Sequence, residues 1–112
     1  NYYRAFRQKE FTVQLKRIVV NIRPSEKSSA NPMAAIRWYL AGSTQQTAIE
    51  IKDREHEFID VISRVVEDMS YDELNSTRGK ERLKNRVVDA VNQRLNVGLV
   101  MAAYTETFVL NP

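Results

Sequence analysis

The chain has 112 residues, 43% of them hydrophobic and 28% charged, with a formal net charge of +3. A domain of this size buries about two-thirds of its unfolded surface around a single core. The chain contains no cysteine, which excludes disulfides and thiolate chemistry, and its single histidine excludes a metal site with two histidine ligands.

The first nine residues combine aromatic and basic side chains. These are Tyr2, Tyr3, Arg4, Phe6, Arg7 and Lys9. Such a composition is typical of segments that lie at a membrane surface. We therefore interpret residues 1–9 as a juxtamembrane or linker segment and residues 10–112 as one domain. A disordered tail and a basic nucleic-acid-binding segment are the alternatives that the same residues leave open.

Two strands are predicted next. Apolar residues alternate over residues 11–15 and again over 18–22, but the two sets are out of phase. Because a strand changes faces only with an extra residue, we expect a bulge or bend near residues 16–17. Residues 24–32 are rich in Ser, Asn and Pro and predict a loop. The alternation over residues 36–41 then predicts a second strand that pairs with the first.

A long helix is predicted after the caps offered by residues 42–44, because apolar residues recur at steps of three and four up to Met69. Its start is open, since residues 47–51 also fit a strand. Ser70 and Glu73 have the spacing of a capping box, and Ser76 offers a second cap. The apolar side of the following helix is formed by Leu83, Val87, Val88, Val91 and Leu95.

Residues 104–110 are rich in aromatic and β-branched residues and predict a last strand. The predicted order is therefore β-β-α-α-β, with a short turn between the helices. It indicates an α+β fold in which two main helices pack on one face of a small sheet of about three strands.

Charge is distributed unevenly. Residues 1–27 hold seven bases and two acids, residues 50–73 three bases and nine acids, and residues 78–94 six bases and two acids. An acidic segment next to a basic one indicates complementary faces, either within a protomer or between protomers. The candidate residues for self-association or partner binding are Arg4, Arg7, Arg23, Arg82, Arg86, Glu55, Asp60 and Glu67.

We predict no catalytic, cofactor or metal site. Gly79 and Lys80 are followed by Glu81 instead of Ser or Thr and lack the earlier glycine, so they do not form a phosphate-binding loop. The carboxylates of residues 50–73 lack the contrast in environment that sets a catalytic acid against a base. A pI of about 9.3 keeps nucleic-acid binding as an alternative. The near balance of charge and the lack of a known module argue against it.

The order of these signals resembles the periplasmic domain of the FliL family of flagellar basal-body-associated proteins. The motifs that carry the resemblance are IVVNI at 18–22, the strand at 36–41, SYDEL at 70–74, STRGKE at 76–81, and Tyr104 with FVLN at 108–111. The family commonly has Pro-Glu at residues 77–78, Gln at Asn111 and a proline near His56, and this chain departs from all three.

The resemblance implies a stomatin/prohibitin-like fold and a non-enzymatic role without cofactors. It further implies a periplasmic domain behind an N-terminal inner-membrane helix. Such domains self-associate, weakly in isolation, into a ring around the stator units, which supports torque and swarming. A generic stomatin-like scaffold at a membrane is the alternative function. No nucleic-acid partner is expected.

Overall fold

The computed structural model describes residues 11–112, so residues 1–9, interpreted above as a juxtamembrane or linker segment, lie outside them. The chain forms an α+β fold with an antiparallel sheet, which confirms the predicted fold class. The strands are β1 (Thr12–Gln14), β2 (Ile18–Asn21), β3 (Met33–Gly42) and β4 (Val100–Asn111). The helices are α1 (Gln45–Asp53), α2 (Glu55–Glu67), α3 (Tyr71–Leu74) and α4 (Thr77–Asn92).

The long strand β3 is the centre of the sheet. Along one edge it pairs with β4, and along the other it pairs first with β2 and then with β1. Because β1 and β2 follow one another on the same edge, the four strands occupy three positions. This agrees with a sheet of about three strands.

The predicted bulge lies between β1 and β2. Gln14 is opposite Tyr39 and Ile18 is opposite Ile36, so residues 15–17 face only two residues of β3. The extra residue places both Leu15, 1% exposed, and Ile18, 4% exposed, on the core face. The out-of-phase alternation in the sequence is therefore the signature of this bulge.

The last strand, β4, is also irregular. Its register with β3 shifts twice, between Ala35 and Arg37 and between Ala41 and Gly42. The first shift coincides with Thr107, whose φ of 57° is in the left-handed region that residues other than glycine rarely adopt. Such bulges bend a strand and increase its twist.

The predicted long helix is divided into α1 and α2 at Arg54, whose φ of −109° and ψ of 31° lie outside the helical region. Upstream, the Thr44 side chain accepts a hydrogen bond from the backbone N–H of Thr47, which fixes the start of α1. Residues 47–51 are therefore helical and do not form a strand. Within residues 11–112, no helix combines the length and the apolar character that crossing a membrane requires.

The core lies between the sheet and the helices. Its largest fully buried side chains include Trp38, Phe58, Ile36, Leu40, Ile51, Ile62, Leu83 and Val87. On α4, Leu83, Val87 and Val91 are fully buried and Val88 is only partly buried, and Leu95, also partly buried, lies beyond the end of the helix at Asn92. The core face of this helix is thus narrower than the five apolar residues predicted.

Both predicted caps form around the short helix α3. Ser70 and Glu73 make the complete capping box, and the Ser76 hydroxyl accepts a hydrogen bond from the N–H of Gly79 at 3.0 Å. A Cβ atom on Gly79 would lie 1.7 Å from the carbonyl oxygen of Glu73. The absence of a side chain at Gly79 is therefore what lets α4 start directly against α3.

Candidate interaction surfaces

Three of the predicted partner residues meet at the end of the domain where β2 finishes and β3 begins. We call this the charged end; it is formed by Arg23, Asp68, Glu73, Arg82 and Arg86. The backbone of Arg23 brings the charged end together. The N–H of Arg23 donates to the carbonyl of Met69 at 3.0 Å, and the carbonyl of Arg23 accepts from the N–H of Tyr71 at 2.9 Å. The loop after β2 is thereby attached to the junction of α2 and α3.

The basic residues of the charged end contact acidic residues of the same protomer. Arg86 Nη2 lies 2.9 Å from Asp68 Oδ2, and Arg82 Nη1 lies 3.4 Å from Glu73 Oε2. Arg23 Nη1 donates to the carbonyl of Asp68 at 3.3 Å. The acidic and basic segments therefore face each other within one protomer. Because the Arg86 and Asp68 side chains are 40% and 59% exposed, their pair contributes only about 0–1 kcal/mol.

Glu73 has a second role at the charged end. The backbone N–H of Ser70 donates to Glu73 Oε1 at 3.0 Å. This hydrogen bond, with the charge of Arg82, lowers the pKa of the Glu73 carboxyl against the opposing effect of burial. Glu73 is thus ionised at neutral pH and both caps α3 and pairs with α4.

Glu55 does not lie at the charged end. Its carboxylate accepts a hydrogen bond from the backbone N–H of Lys16 at 2.9 Å and lies 3.2 Å from Lys52 Nζ. Burial raises the pKa of Glu55, but the Lys16 N–H and the Lys52 charge outweigh it, and the pKa is lowered. Glu55 therefore joins the bulge between β1 and β2 to the start of α2. An open cleft of about 520 Å³ beside this contact is also lined by Gln14 and Arg37.

The remaining predicted residues are more scattered. Asp60 pairs with Arg64 on the exposed side of α2, and Glu67 is exposed at the end of that helix. Arg4 and Arg7 lie outside the described residues. The role of all eight residues in self-association or partner binding stays a prediction.

The opposite end of the domain was not identified from the sequence. Three segments without any charged residue, 11–15, 38–49 and 95–105, meet there. Gly42 N donates to the carbonyl of Phe11 at 2.9 Å, and Ser43 N donates to that of Leu99 at 2.8 Å. We call this the uncharged end; its exposed apolar side chains are Ile49 (51% exposed), Val97 (46%), Leu99 (56%) and Met101 (70%).

The loop that carries Val97 and Leu99 is fixed to α1. The Glu50 carboxylate accepts hydrogen bonds from the backbone N–H groups of Asn96 and Val97, each at 2.9 Å. The Thr47 hydroxyl donates to the carbonyl of Val97 at 3.0 Å. Gly98 has a φ of 69°, and a Cβ there would lie 2.0 Å from the Thr47 hydroxyl oxygen. These hydrogen bonds and the tight fit of Gly98 against Thr47 therefore hold the backbone of residues 96–98 against α1.

The sheet face away from the helices is a third surface. Val19, Tyr104 and Val109 are 51%, 47% and 40% exposed on it. The Tyr39 hydroxyl donates to Glu106 Oε2 at 3.0 Å, and this hydrogen bond raises the pKa of Tyr39. This face combines apolar and charged side chains, in contrast to the uncharged end.

Comparison with known proteins gives one family. The sequence model of the family described as Flagellar basal body-associated protein FliL matches residues 12–110. The match runs from the first residue of β1 to the next-to-last residue of β4, so it covers all the helices and strands described above except Asn111. No curated protein matches the chain.

Proposed function

Because the chain belongs to the FliL family of flagellar basal body-associated proteins, we propose that it is a non-enzymatic accessory protein of the flagellar motor. The observation that carries this proposal is the family match over residues 12–110, which spans the whole α+β domain. The family ties the chain to the flagellar basal body.

The finer proposal concerns place and assembly. The domain lies in the periplasm behind an inner-membrane helix, and copies of it close into a ring around the stator units. A ring needs contacts between two different surfaces of each protomer. If these contacts prefer the engaged conformation of the stator, the ring shifts the stator population toward that conformation. Torque at high load and swarming would then depend on it.

We propose the charged end as one of the two surfaces through which protomers contact each other in the ring. An arginine guanidinium has five N–H donors. Arg82 uses one of them in its pair with Glu73, and Arg86 donates to Asp68 and to the Met69 sulfur, so both keep donors for a neighbour. Their side chains are 60% and 40% exposed. Individual contacts of this kind are weak, so assembly relies on the high effective concentration that a membrane anchor provides.

The first experiment is deletion of the gene, with motility measured in dilute and in viscous medium. We expect weaker swimming under load and loss of swarming, both restored by the full-length gene. Unchanged motility in both media would overturn the proposed function.

The second experiment separates an interface role of Arg86 from its internal ion pair. Arg86→Glu removes the pair with Asp68, whereas the double variant Asp68→Arg with Arg86→Glu restores it in reverse. If the charged end binds a neighbour, both variants reduce swarming and recruitment of the tagged protein to motors. If swarming and recruitment recover in the double variant, the role of Arg86 is limited to its ion pair with Asp68 within the protomer. Lys84→Glu, on another side of α4, is the control and should behave as the parent.

A further inference from the structure

Membership of the family assigns no role to the uncharged end. It exposes four large apolar side chains, Ile49, Val97, Leu99 and Met101. They lie on two uncharged segments that are joined by the hydrogen bonds from Thr47 to Val97 and from Ser43 to Leu99. Contiguous exposed apolar surface of this kind marks contact with a protein or a membrane.

We propose that the uncharged end is a membrane-contact surface whose apolar side chains insert into the interfacial layer of a lipid bilayer. The proposal rests on the proposed function, in that it takes the chain to be anchored ahead of residue 1. It names the lipid surface as a binding partner of the folded domain in addition to the anchor.

The first argument is position. The described chain begins at Phe11, whose carbonyl accepts from Gly42, so the polypeptide enters the domain at the uncharged end. The charged end lies at the other end of β3, a strand of ten residues or about 33 Å. The uncharged end is thus the end at which the chain enters the domain from its N-terminal side.

The second argument is hydrogen bonding. A group that enters a bilayer must have its backbone N–H and C=O groups paired, because lipid offers them no partner. At the uncharged end, the backbone N–H and C=O groups of Val97, Leu99 and Val100 are paired within the domain. Asn92 binds both the N–H and the carbonyl of Val100, at 2.7 and 3.1 Å, and Ser43 binds both those of Leu99. Val97 is bound through Glu50 and Thr47.

The third argument favours lipid over protein. Specific protein interfaces carry about one hydrogen bond for every 100–200 Å², and they need free donors and acceptors. In the loop of the uncharged end, Val97 and Leu99 already have their backbone groups paired, and their exposed side chains are aliphatic. The neighbouring residues Arg4, Arg7 and Lys9 add positive charge next to it in the sequence, which attracts anionic headgroups.

The test measures quenching of tryptophan fluorescence by brominated lipid. The 112-residue chain carries an N-terminal histidine tag, which attaches it to neutral phosphatidylcholine vesicles that contain a nickel-chelating lipid and the brominated lipid. Leu99→Trp reports on the uncharged end, and Val109→Trp, exposed on the sheet face at the far end of β4, is the matched control. The native Trp38 is fully buried and gives the same background in both.

We expect the bromines to quench the added tryptophan of Leu99→Trp at least twofold more than that of Val109→Trp, with a blue shift only for Leu99→Trp. Equal quenching of the two variants would overturn the proposal. A blue shift of Leu99→Trp that grows with protein concentration in the absence of lipid would also overturn it, in favour of a second copy of the chain.

A second measurement uses the untagged chain and sedimentation with vesicles. Changing Val97, Leu99 and Met101 together to Ser should reduce partitioning onto neutral vesicles at least tenfold, with an unchanged circular dichroism spectrum. The pair Val19→Ser and Val109→Ser is the control and should bind as the parent. Binding of the parent to anionic but not to neutral vesicles would assign the attraction to the basic residues and overturn insertion.

The outcomes separate this inference from the proposed function. Loss of motility on gene deletion, together with no vesicle contact, would keep the motor role and remove the membrane surface. Vesicle contact together with normal motility after gene deletion would keep the membrane surface and remove the motor role.

Discussion

Arg54 occupies the break between α1 and α2 and contacts four groups. Its guanidinium pairs with Glu50, lies 3.2 Å from Glu57 Oε1 through Nε, and donates to the carbonyl of Arg94 at 2.9 Å. Its Cζ atom also lies 4.7 Å from the centroid of the Phe58 ring. These contacts connect the break in the helix to the end of α4, so one side chain fixes the relative position of three helices.

The first prediction is that Glu50→Gln destabilises the domain by about 1.5–3 kcal/mol, the usual range for hydrogen bonds to a charged group. The Glu50 carboxylate accepts from Asn96 and Val97 and pairs with Arg54. A glutamine has one acceptor oxygen, and its NH₂ group faces an N–H donor. Urea denaturation of both proteins at neutral pH measures the difference. Glu57→Gln is the control, because Glu57 binds only Arg54 among these groups and should cost clearly less.

The difference between Glu50→Gln and the parent should depend on pH. Burial raises the pKa of Glu50, but the Asn96 and Val97 N–H groups and Arg54 outweigh it and the pKa is lowered. A lowered folded-state pKa stabilises the fold above the unfolded value, about 4.3 for glutamate, and this contribution is lost as the pH falls through the folded value. The two proteins should therefore converge in acid. A gap that widens below pH 4 would contradict the role given to the carboxylate.

At the scale of elements, the junction of α3 and α4 depends on the space at Gly79. In an exposed helix interior, Gly→Ala stabilises by about 1 kcal/mol. Here the new Cβ would collide with the Glu73 carbonyl, a backbone atom that cannot move without disturbing α3.

The second prediction is therefore that Gly79→Ala destabilises by about 2–3 kcal/mol, in the upper range for overpacked sites. Thermal and urea unfolding measure it. Arg78→Ala, at the exposed preceding position, should change stability by no more than about 0.5 kcal/mol. A more stable Gly79→Ala variant would show that α3 and α4 can separate without loss.

Local signals predicted the elements that depend on neighbouring residues. The bulge before Ile18, the capping box at Ser70 and the start of α4 are all confirmed, because each follows from spacings of a few residues. The break at Arg54 could not be predicted, since its partner Arg94 lies forty positions away. The two bulges of β4 likewise depend on pairing with β3.

The candidate sites likewise include one that the sequence indicated and one that only the fold reveals. The sequence indicated that acidic and basic segments are complementary, and it left open whether they meet within or between protomers. The structure shows contacts within the protomer for Arg82 and Arg86. The uncharged end was missed, although the absence of charge in residues 95–105 was a visible signal. Its significance appears only when folding brings this segment beside residues 38–49.

At the scale of the whole molecule, ion pairing inside the protomer reduces the charge available for binding other copies. The third prediction is that the isolated chain is monomeric at physiological salt. Surface pairs such as Arg86 with Asp68 are weak and screened within about 8 Å. Sedimentation velocity over a range of protein and salt concentrations measures this. A stable dimer that dissociates at high salt would contradict it and identify a stronger electrostatic interface.

The irregularity of β4 has a consequence for solubility. Within residues 11–112, this twelve-residue strand pairs only with β3, so its other edge offers unpaired N–H and C=O groups to any strand that approaches. The shifts at its two bulges and the left-handed Thr107 prevent a second β4 from matching it over the full length. Copies of the chain at high concentration are thereby hindered from growing into a continuous cross-β fibril.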